Sequence, residues 1–510
     1  MIFKIVCYLK GEIKMDRKAG ILMPIFSLPS KYGIGSFDTE AYKFVDWLKK
    51  AGQTYWQLLP LVPTSYGDSP YQSFSTYAGN PYFINLEALI GEGVLTKEEC
   101  EAVDFGTDAD DIDYAKLYNG RYALLRKAYE RSKIASNNEY QSFIKENEWW
   151  LNDYALFMAV KGRFEGKAWN EWPEDIKLRH ANAIEYYNRE LYYDIEFHKY
   201  IQFKFVQHWN ALKNYANQKG IQIVGDIPIY VAMDSADTWA NPQLFQLDSN
   251  NQPIAVAGCP PDGFSATGQL WGNPLYRWDY HEQTKYQWWM TRLWYAFKLY
   301  DVVRIDHFRA FDEYYSIPYG ETTAINGHWE KGPGMKLFNR MFEYLGHRQV
   351  IAEDLGFMTD TVRQLVKESG FPGMKVLEFG FDARDSSSAD YMPHVYPENS
   401  VVYTGTHDNE TIRGWFGSIT EDEMTLVRAY LYDSTTPVER LHKPMVAMAM
   451  RSNSNTCIIP LQDYMGKDNT ARINTPSTVG QNWRWRAVEG EISESLAEEI
   501  YTMTWAFRRL

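Results

Sequence analysis

Eight short apolar runs, spread along the chain, constrain its fold more than any other feature. They are Gly20–Ile25, Tyr55–Leu61, Gln222–Ile227, Val302–Ile305, Gln349–Ala352, Met374–Phe379, Val401–Thr404 and Thr456–Leu461. Longer amphipathic stretches separate most of them. That alternation calls for a parallel sheet with crossover helices. Eight such units predict a closed (β/α)8 barrel. A doubly wound open sheet is the alternative, but no GxGxxG follows the first run.

Two gaps are longer than a crossover helix. The second and third runs lie about 160 residues apart. This stretch holds helical patterns at Tyr114–Lys133 and Glu185–Lys219 among turn-rich segments, so an insertion over about 65–215 is expected beside the barrel mouth. The gap Tyr230–Lys298 is partly loop and includes GCPPDGFSATGQLWGNPLY. Its Trp, Phe, Leu and Tyr content argues for an ordered second insertion over about 230–298. The closing ESLAEEIYTMTWAFRRL reads as a helix, with no separate C-terminal β-domain. The opening MIFKIVCYLKGEIK has an apolar run but no small-residue cleavage site, so it reads as neither signal nor anchor. Organised sequence begins just after Met15; residues 1–14 are expected to be a loose tail, and 15–510 one catalytic barrel.

Composition excludes some partners. A net charge of −14 argues against nucleic acid. No apolar run approaches the roughly 20 residues that span a bilayer. Cys7, Cys100, Cys259 and Cys457 are scattered, without metal-ligand spacing, and fit a reducing, cytoplasmic setting. Eighteen Trp and 37 Tyr suit stacking on sugar rings, although most are expected to be core.

In a parallel barrel the strand C-termini share one face. Here they bring together Asp226 (VGDIP), Asp306 and His307 (RIDHF), Glu353 and Asp354 (IAEDLG), Asp382 (LEFGFD), and His407 and Asp408 (GTHDNET). A single carboxylate at such a place often caps the next helix, and Asp354 is read so. Several at one rim repel one another and call for a metal or for carboxylate catalysis. Metal-assisted enolisation usually adds a lysine base, which these ends lack. Retaining glycosyl transfer needs two carboxyl groups about 5–5.5 Å apart, one ionised and one protonated. Arg304 lies two residues before Asp306, on the same strand face, and would keep it ionised as a nucleophile. Taken alone, that pair is equally a structural ion pair. Glu353, after an apolar run and beside other carboxylates, suits the protonated role. Asp408 suits binding of ring hydroxyls and stabilisation of an oxocarbenium-like transition state. No EF-hand spacing is present, so neither metal nor cofactor is expected.

The set VRIDHFRAF, IAEDLG and GTHDNET resembles the α-amylase superfamily and, more closely, the amylomaltases or 4-α-glucanotransferases of glycoside hydrolase family 77. GDSPYQSFSTYAGNPY, GCPPDGFSATGQLWGNPLY and TTAINGHWEKGPG are similar to that family in particular, and the likeness runs from about Lys18 to the C-terminus. It implies Asp306 as nucleophile, Glu353 as general acid/base and Asp408 as transition-state stabiliser. It implies that Arg304 bonds the nucleophile, that His307 and His407 meet the sugar at the cleavage point, and that Asp226 builds the floor. Ser69, Tyr71, Trp271, Asp382 and Asn474 match glucan contacts, and Asp262 and Phe264 match acceptor-side contacts. Gly263, between those two, departs from relatives with a bulkier residue there, which bears on the loop and not on the chemistry.

The reaction implied is transfer of an α-1,4-glucan segment from a donor to the 4-hydroxyl of a glucose or maltodextrin acceptor. An α-1,4-glucan hydrolase is the first alternative. Asp226 is followed by IPIYV, without the histidine that α-amylases often carry there, which favours transfer. A non-catalytic glucan-binding barrel and a metal-dependent lyase are the others.

Overall fold

The computed structural model describes residues 17–65, 67–261, 265–383 and 388–510. Its strands, in chain order, are β1 (Lys18–Leu22), β2 (Tyr55–Gln57), β3 (Gln222–Pro228), β4 (Ala255–Cys259), β5 (Gln269–Pro274), β6 (Val302–Asp306), β7 (Glu313–Pro318), β8 (His328–Lys331), β9 (Val350–Ala352), β10 (Gly373–Val376), β11 (Ser400–Tyr403) and β12 (Thr456–Pro460). Eight of them close into a parallel barrel in the order β1-β12-β11-β10-β9-β6-β3-β2. Those eight are the eight apolar runs of the sequence. A (β/α)8 barrel is therefore the fold, with β12 pairing β1 to shut it.

Leu22, Tyr55, Val224, Val302, Ile351, Met374, Val401, Tyr403 and Ile458 pack together as a cluster drawn from all eight barrel strands. Bulky inward side chains make a barrel centre solid rather than a pore. Burying each aliphatic one contributes roughly 1.5–3 kcal/mol. At Gly225 in β3 a Cβ would lie 2.0 Å from the Tyr300 ring, so this position excludes every other residue. Tyr300 can thereby close against the strand that carries Asp226.

Three run boundaries shift by three residues or more, β2 among them, which stops at Gln57 and not at Leu61. Strand β1 stops at Leu22, and Ile25 belongs to a 3-10 turn, Ile25–Ser27, that follows Pro24; proline cannot donate to a ladder. Strand β10 stops at Val376, because residues Glu378–Phe381 coil into a 3-10 turn closed by the Gly380 N–H on the Leu377 carbonyl at 3.1 Å. Asp382 therefore sits beyond a turn and not at a strand end.

Between β2 and β3 lie the long helices Tyr114–Arg131, Asn138–Arg163 and Tyr192–Gln218, with Ala181–Glu190 before the last. Asp113 and Asn137 cap the first two, accepting from the Lys116 and Tyr140 N–H groups. The pattern Glu185–Lys219 is two helices, broken at Leu191. Asn138–Arg163 left no clear amphipathic signal because its buried residues, including consecutive Tyr154–Phe157, go round the helix. Between β3 and β9 the chain builds a second, antiparallel sheet in the order β5-β4-β7-β8. No helix among the described residues is long and apolar enough to cross a membrane.

Candidate active site

The mouth of the barrel opens into a groove of about 1100 Å³. That exceeds the roughly 300–1,000 Å³ of ordinary small-molecule pockets and leaves room for several sugar rings. Ser69, Tyr71, Trp271, Arg304, Asp306, His307, Glu353, Asp382, His407, Asp408 and Asn474 all line it. Asp226 does not; it is buried beneath. Asp262 and Phe264 lie outside the described residues.

Arg304 organises the floor. It projects from β6 and is 2% exposed. Its Nη1 donates to Asp306 Oδ1 at 3.0 Å and to Asp226 Oδ2 at 2.6 Å, while Nε faces the Met374 sulfur at 3.4 Å. Strands β3 and β6 pair Asp226 with Arg304 directly, which is why the two side chains meet. The Tyr71 hydroxyl donates to the same Asp226 oxygen at 2.7 Å. Asp226 is thus a second anion under the guanidinium and fixes where Arg304 points.

Glu353 follows β9, the neighbour of β6. Its Oε2 accepts the His307 N–H at 2.6 Å and its Oε1 the Leu355 N–H at 3.0 Å. Burial and then the nearby Asp306 push its carboxyl well above the usual carboxylate range, against Arg304 and the two N–H groups. Asp306 is also raised by burial, but Arg304 pulls it back both by charge and by a hydrogen bond. The shared proton consequently belongs on Glu353, and Asp306 carries the negative charge. This is the division of labour that retaining transfer needs.

Asp408 stands across the mouth. Asn474 Nδ2 donates to its Oδ1 at 2.6 Å, and His407 Nε2 lies 3.3 Å from its Oδ2. Arg472 ties the backbone here, reaching the Asp408 carbonyl at 2.7 Å and the Asn474 carbonyl at 2.8 Å. Asn474 therefore orients Asp408 as well as lining the groove. Burial keeps His407 below its usual pKa, and its ring stacks on Tyr71 at 5.1 Å and 12°. His307 adopts φ +52°, and burial with nearby Arg309 lowers its pKa to about 3, so it is neutral. Its ring meets Trp271 edge-on at 4.8 Å, and its buried Nε2 has no protein partner. Ser69 Oγ accepts the Tyr71 N–H at 3.2 Å and turns that loop into the groove.

Asp354 caps no helix. The next helix starts at Asp360 with Thr359 as its cap, six residues along the chain and beyond reach. Asp354 instead accepts the Met374 N–H at 2.7 Å, tying the segment after β9 to β10.

Several lining residues carried no signal in the sequence reading. Gln72 and Asn273 exchange side-chain amide bonds at 2.9 and 3.3 Å and join the GDSPYQ loop to strand β5 in GQLWGNP. Glu378 is buried in the groove wall beside Asp463 and Glu410, and burial raises its carboxyl far above the usual range. Trp483 leans on Tyr71 and His407, with ring centroids at 5.8 and 6.0 Å. The paired amides and the two adjacent motifs were visible as strings; their mutual contact was not.

Fold and mouth together define a (β/α)8 enzyme that works on glycosidic bonds with carboxylates ringed by aromatic and amide side chains. The chain belongs to glycoside hydrolase family 77, whose model, described as 4-alpha-glucanotransferase, matches residues 23–490. It is 48% identical over 488 residues to a 4-alpha-glucanotransferase of Clostridium butyricum, covering 96% of this chain and 100% of that one. A 4-alpha-glucanotransferase of Thermus thermophilus is 42% identical over 507 residues, covering 98% and 100%. Among solved structures, the amylomaltase from Streptococcus agalactiae in complex with acarbose superposes with a TM-score of 0.93 at 41% identity, covering 97% of this chain and 99% of that one.

Proposed function

We propose that this enzyme moves a segment of an α-1,4-glucan from a donor chain to the 4-hydroxyl of a glucose or maltodextrin acceptor, with Asp306, Glu353 and Asp408 as its catalytic carboxylates. The observation that carries the reading is the pair Asp306 and Glu353. One is steadied by Arg304, the other is buried on two backbone N–H groups, and neighbouring strands carry them.

Glu353 gives its proton to the glycosidic oxygen as the Asp306 carboxylate attacks the anomeric carbon. The donor's reducing-end fragment leaves, and a β-linked glycosyl ester remains on Asp306. Glu353, now ionised, takes the proton of the acceptor 4-hydroxyl, whose oxygen attacks the same carbon and releases Asp306. Two inversions give net retention and a new α-1,4 bond. Asp408 stabilises the oxocarbenium-like charge in both steps. Neutral His307 and His407 hydrogen-bond sugar hydroxyls, with Ser69, Tyr71, Trp271, Asp382 and Asn474 along the groove. Asp262 and Phe264 contact the acceptor. An acceptor that fills the groove against Trp271 keeps water from the ester, and transfer then outruns hydrolysis. The reaction is assigned to the cytoplasm, where the thiols stay reduced, with no nucleic-acid or membrane partner.

Chromatography of products from maltotriose tests the reading. A ladder of longer maltodextrins beside glucose is expected. Glucose and maltose alone would make the enzyme a hydrolase, and loss of activity in EDTA would call for a metal.

A further inference from the structure

Trp483 holds φ at +66° although it is a bulky, buried residue. Such a conformation costs on the order of 1–3 kcal/mol and persists only where its surroundings impose it. Those surroundings come from far along the chain. The Tyr114 hydroxyl, at the first turn of helix Tyr114–Arg131, donates to the Trp483 carbonyl at 2.7 Å. The Trp483 N–H donates to the Ile473 carbonyl at 2.7 Å. Next door, Arg484 forms a forked pair with Asp111, and Ile112 and Arg486 exchange backbone bonds with Arg484 and Asp110 at 3.0 Å each. The insertion between β2 and β3 therefore grips the Trp483–Arg486 segment through both side chain and backbone.

The strained residue faces the chemistry. Its indole lines the groove and leans on both members of the Tyr71–His407 stack. From Tyr71 the contacts run on through Asp226 and Arg304 to Asp306. We infer that Trp483 is a positioning residue for glycosyl transfer, held by Tyr114 and the Asp111–Arg484 pair of the helical insertion so that it backs the Tyr71–His407 wall against the glucan. The inference rests on the transferase reading of the same groove. It makes the insertion part of the active-site scaffold and not only an outer layer.

The prediction concerns partition as well as rate. A loosened wall misplaces the sugar, for which a shift of about 1 Å can cost up to ~100-fold in rate, and it admits water to the ester. The test uses the full chain with maltotriose and compares Tyr114→Phe, Trp483→Phe and Trp483→Ala. Tyr114→Phe removes one hydroxyl and keeps the ring. It should lower kcat on the order of tenfold with KM nearly unchanged, and raise the hydrolytic share of turnover. Trp483→Ala should do both more strongly, and Trp483→Phe, which keeps an aromatic backing, should recover much of the loss. Thermal melts of each variant accompany the kinetics; should Trp483→Ala fail to fold, Tyr114→Phe decides. Unchanged kcat and unchanged partition in folded Tyr114→Phe would overturn the inference. The parent's maltotriose products and Asp306→Asn, run alongside, separate the two claims: glucose and maltose alone from the parent would overturn the transferase reading itself, and an active Asp306→Asn would overturn the role given to Asp306, whatever the Tyr114 and Trp483 variants do.

Discussion

The His307 backbone N–H donates to Glu353 Oε2 at 2.6 Å, so the residue directly after Asp306 holds the opposing carboxyl in place. The two carboxyls are thereby brought together at the ends of the paired strands β6 and β9. Asp306 also raises the Glu353 carboxyl by its charge. Taking that charge away must lower it. In Asp306→Asn, the Glu353 titration, followed by carbon-13 chemical shift, should move toward the ordinary carboxylate range. The same variant should lose roughly 10⁴–10⁶ in kcat. An unmoved Glu353 titration would mean that burial alone sets its pKa.

Arg304 acts with the opposite sign on Asp306. Its guanidinium lowers a carboxyl that burial, Asp226 and Asp408 all raise. Arg304→Met should therefore raise Asp306 further. In the proposed mechanism attack needs the ionised form, so the acid limb of kcat/KM should shift to higher pH. The substitution also leaves Asp226 buried without its cation, and breaking such a pair costs about 3–5 kcal/mol. Denaturant midpoints and a pH–rate profile of the variant check both effects.

Glu378 offers a pH test that needs no turnover. Its folded pKa lies well above its unfolded value, because burial, Asp463 and Glu410 disfavour the charge. A raised acid contributes stability that is present below the unfolded pKa and lost as pH climbs toward the folded one. Glu378→Gln removes this loss. Its melting temperature relative to the parent should rise between about pH 5 and about pH 8. A constant difference across that window would show that Glu378 is ionised in the fold.

The barrel was legible because each of its strands is a separate apolar run, and because parallel strands buried on both faces leave continuous hydrophobic stretches. The carboxylates were legible because strand ends collect at one face: Arg304 and Asp306 share a strand face by simple alternation. What stayed hidden depends on contacts between distant segments. Strands β4, β5, β7 and β8 form their sheet on both sides of β6 in the sequence, so no local pattern announces it. Asp354 read as a cap because nothing local says that its partner is Met374 in the next strand. Trp483 read as one aromatic among many, since its left-handed backbone is imposed by Tyr114 and Ile473 and not by its neighbours in sequence.

The Gln72–Asn273 pair shows how such a distant contact can be tested. Gln72 Nε2 donates to Asn273 Oδ1, Asn273 Nδ2 returns the bond to Gln72 Oε1, and the same Nδ2 also reaches the Val231 carbonyl at 2.8 Å. Together they clamp the loop of Tyr71 to strand β5, which carries Trp271. Each single alanine variant leaves a partner unsatisfied, at about 1–3 kcal/mol for a buried group. Because both changes act on one clamp, their effects should not add: a double-mutant cycle should give a coupling of roughly 0.5–3 kcal/mol in stability. Transfer should suffer with it, since Trp271 touches His307 and a loosened β5 unsettles both rings. KM for maltotriose should therefore rise in both single variants and rise little further in the double. Additive effects on stability and on KM would show that the Tyr71 loop and β5 hold their places independently.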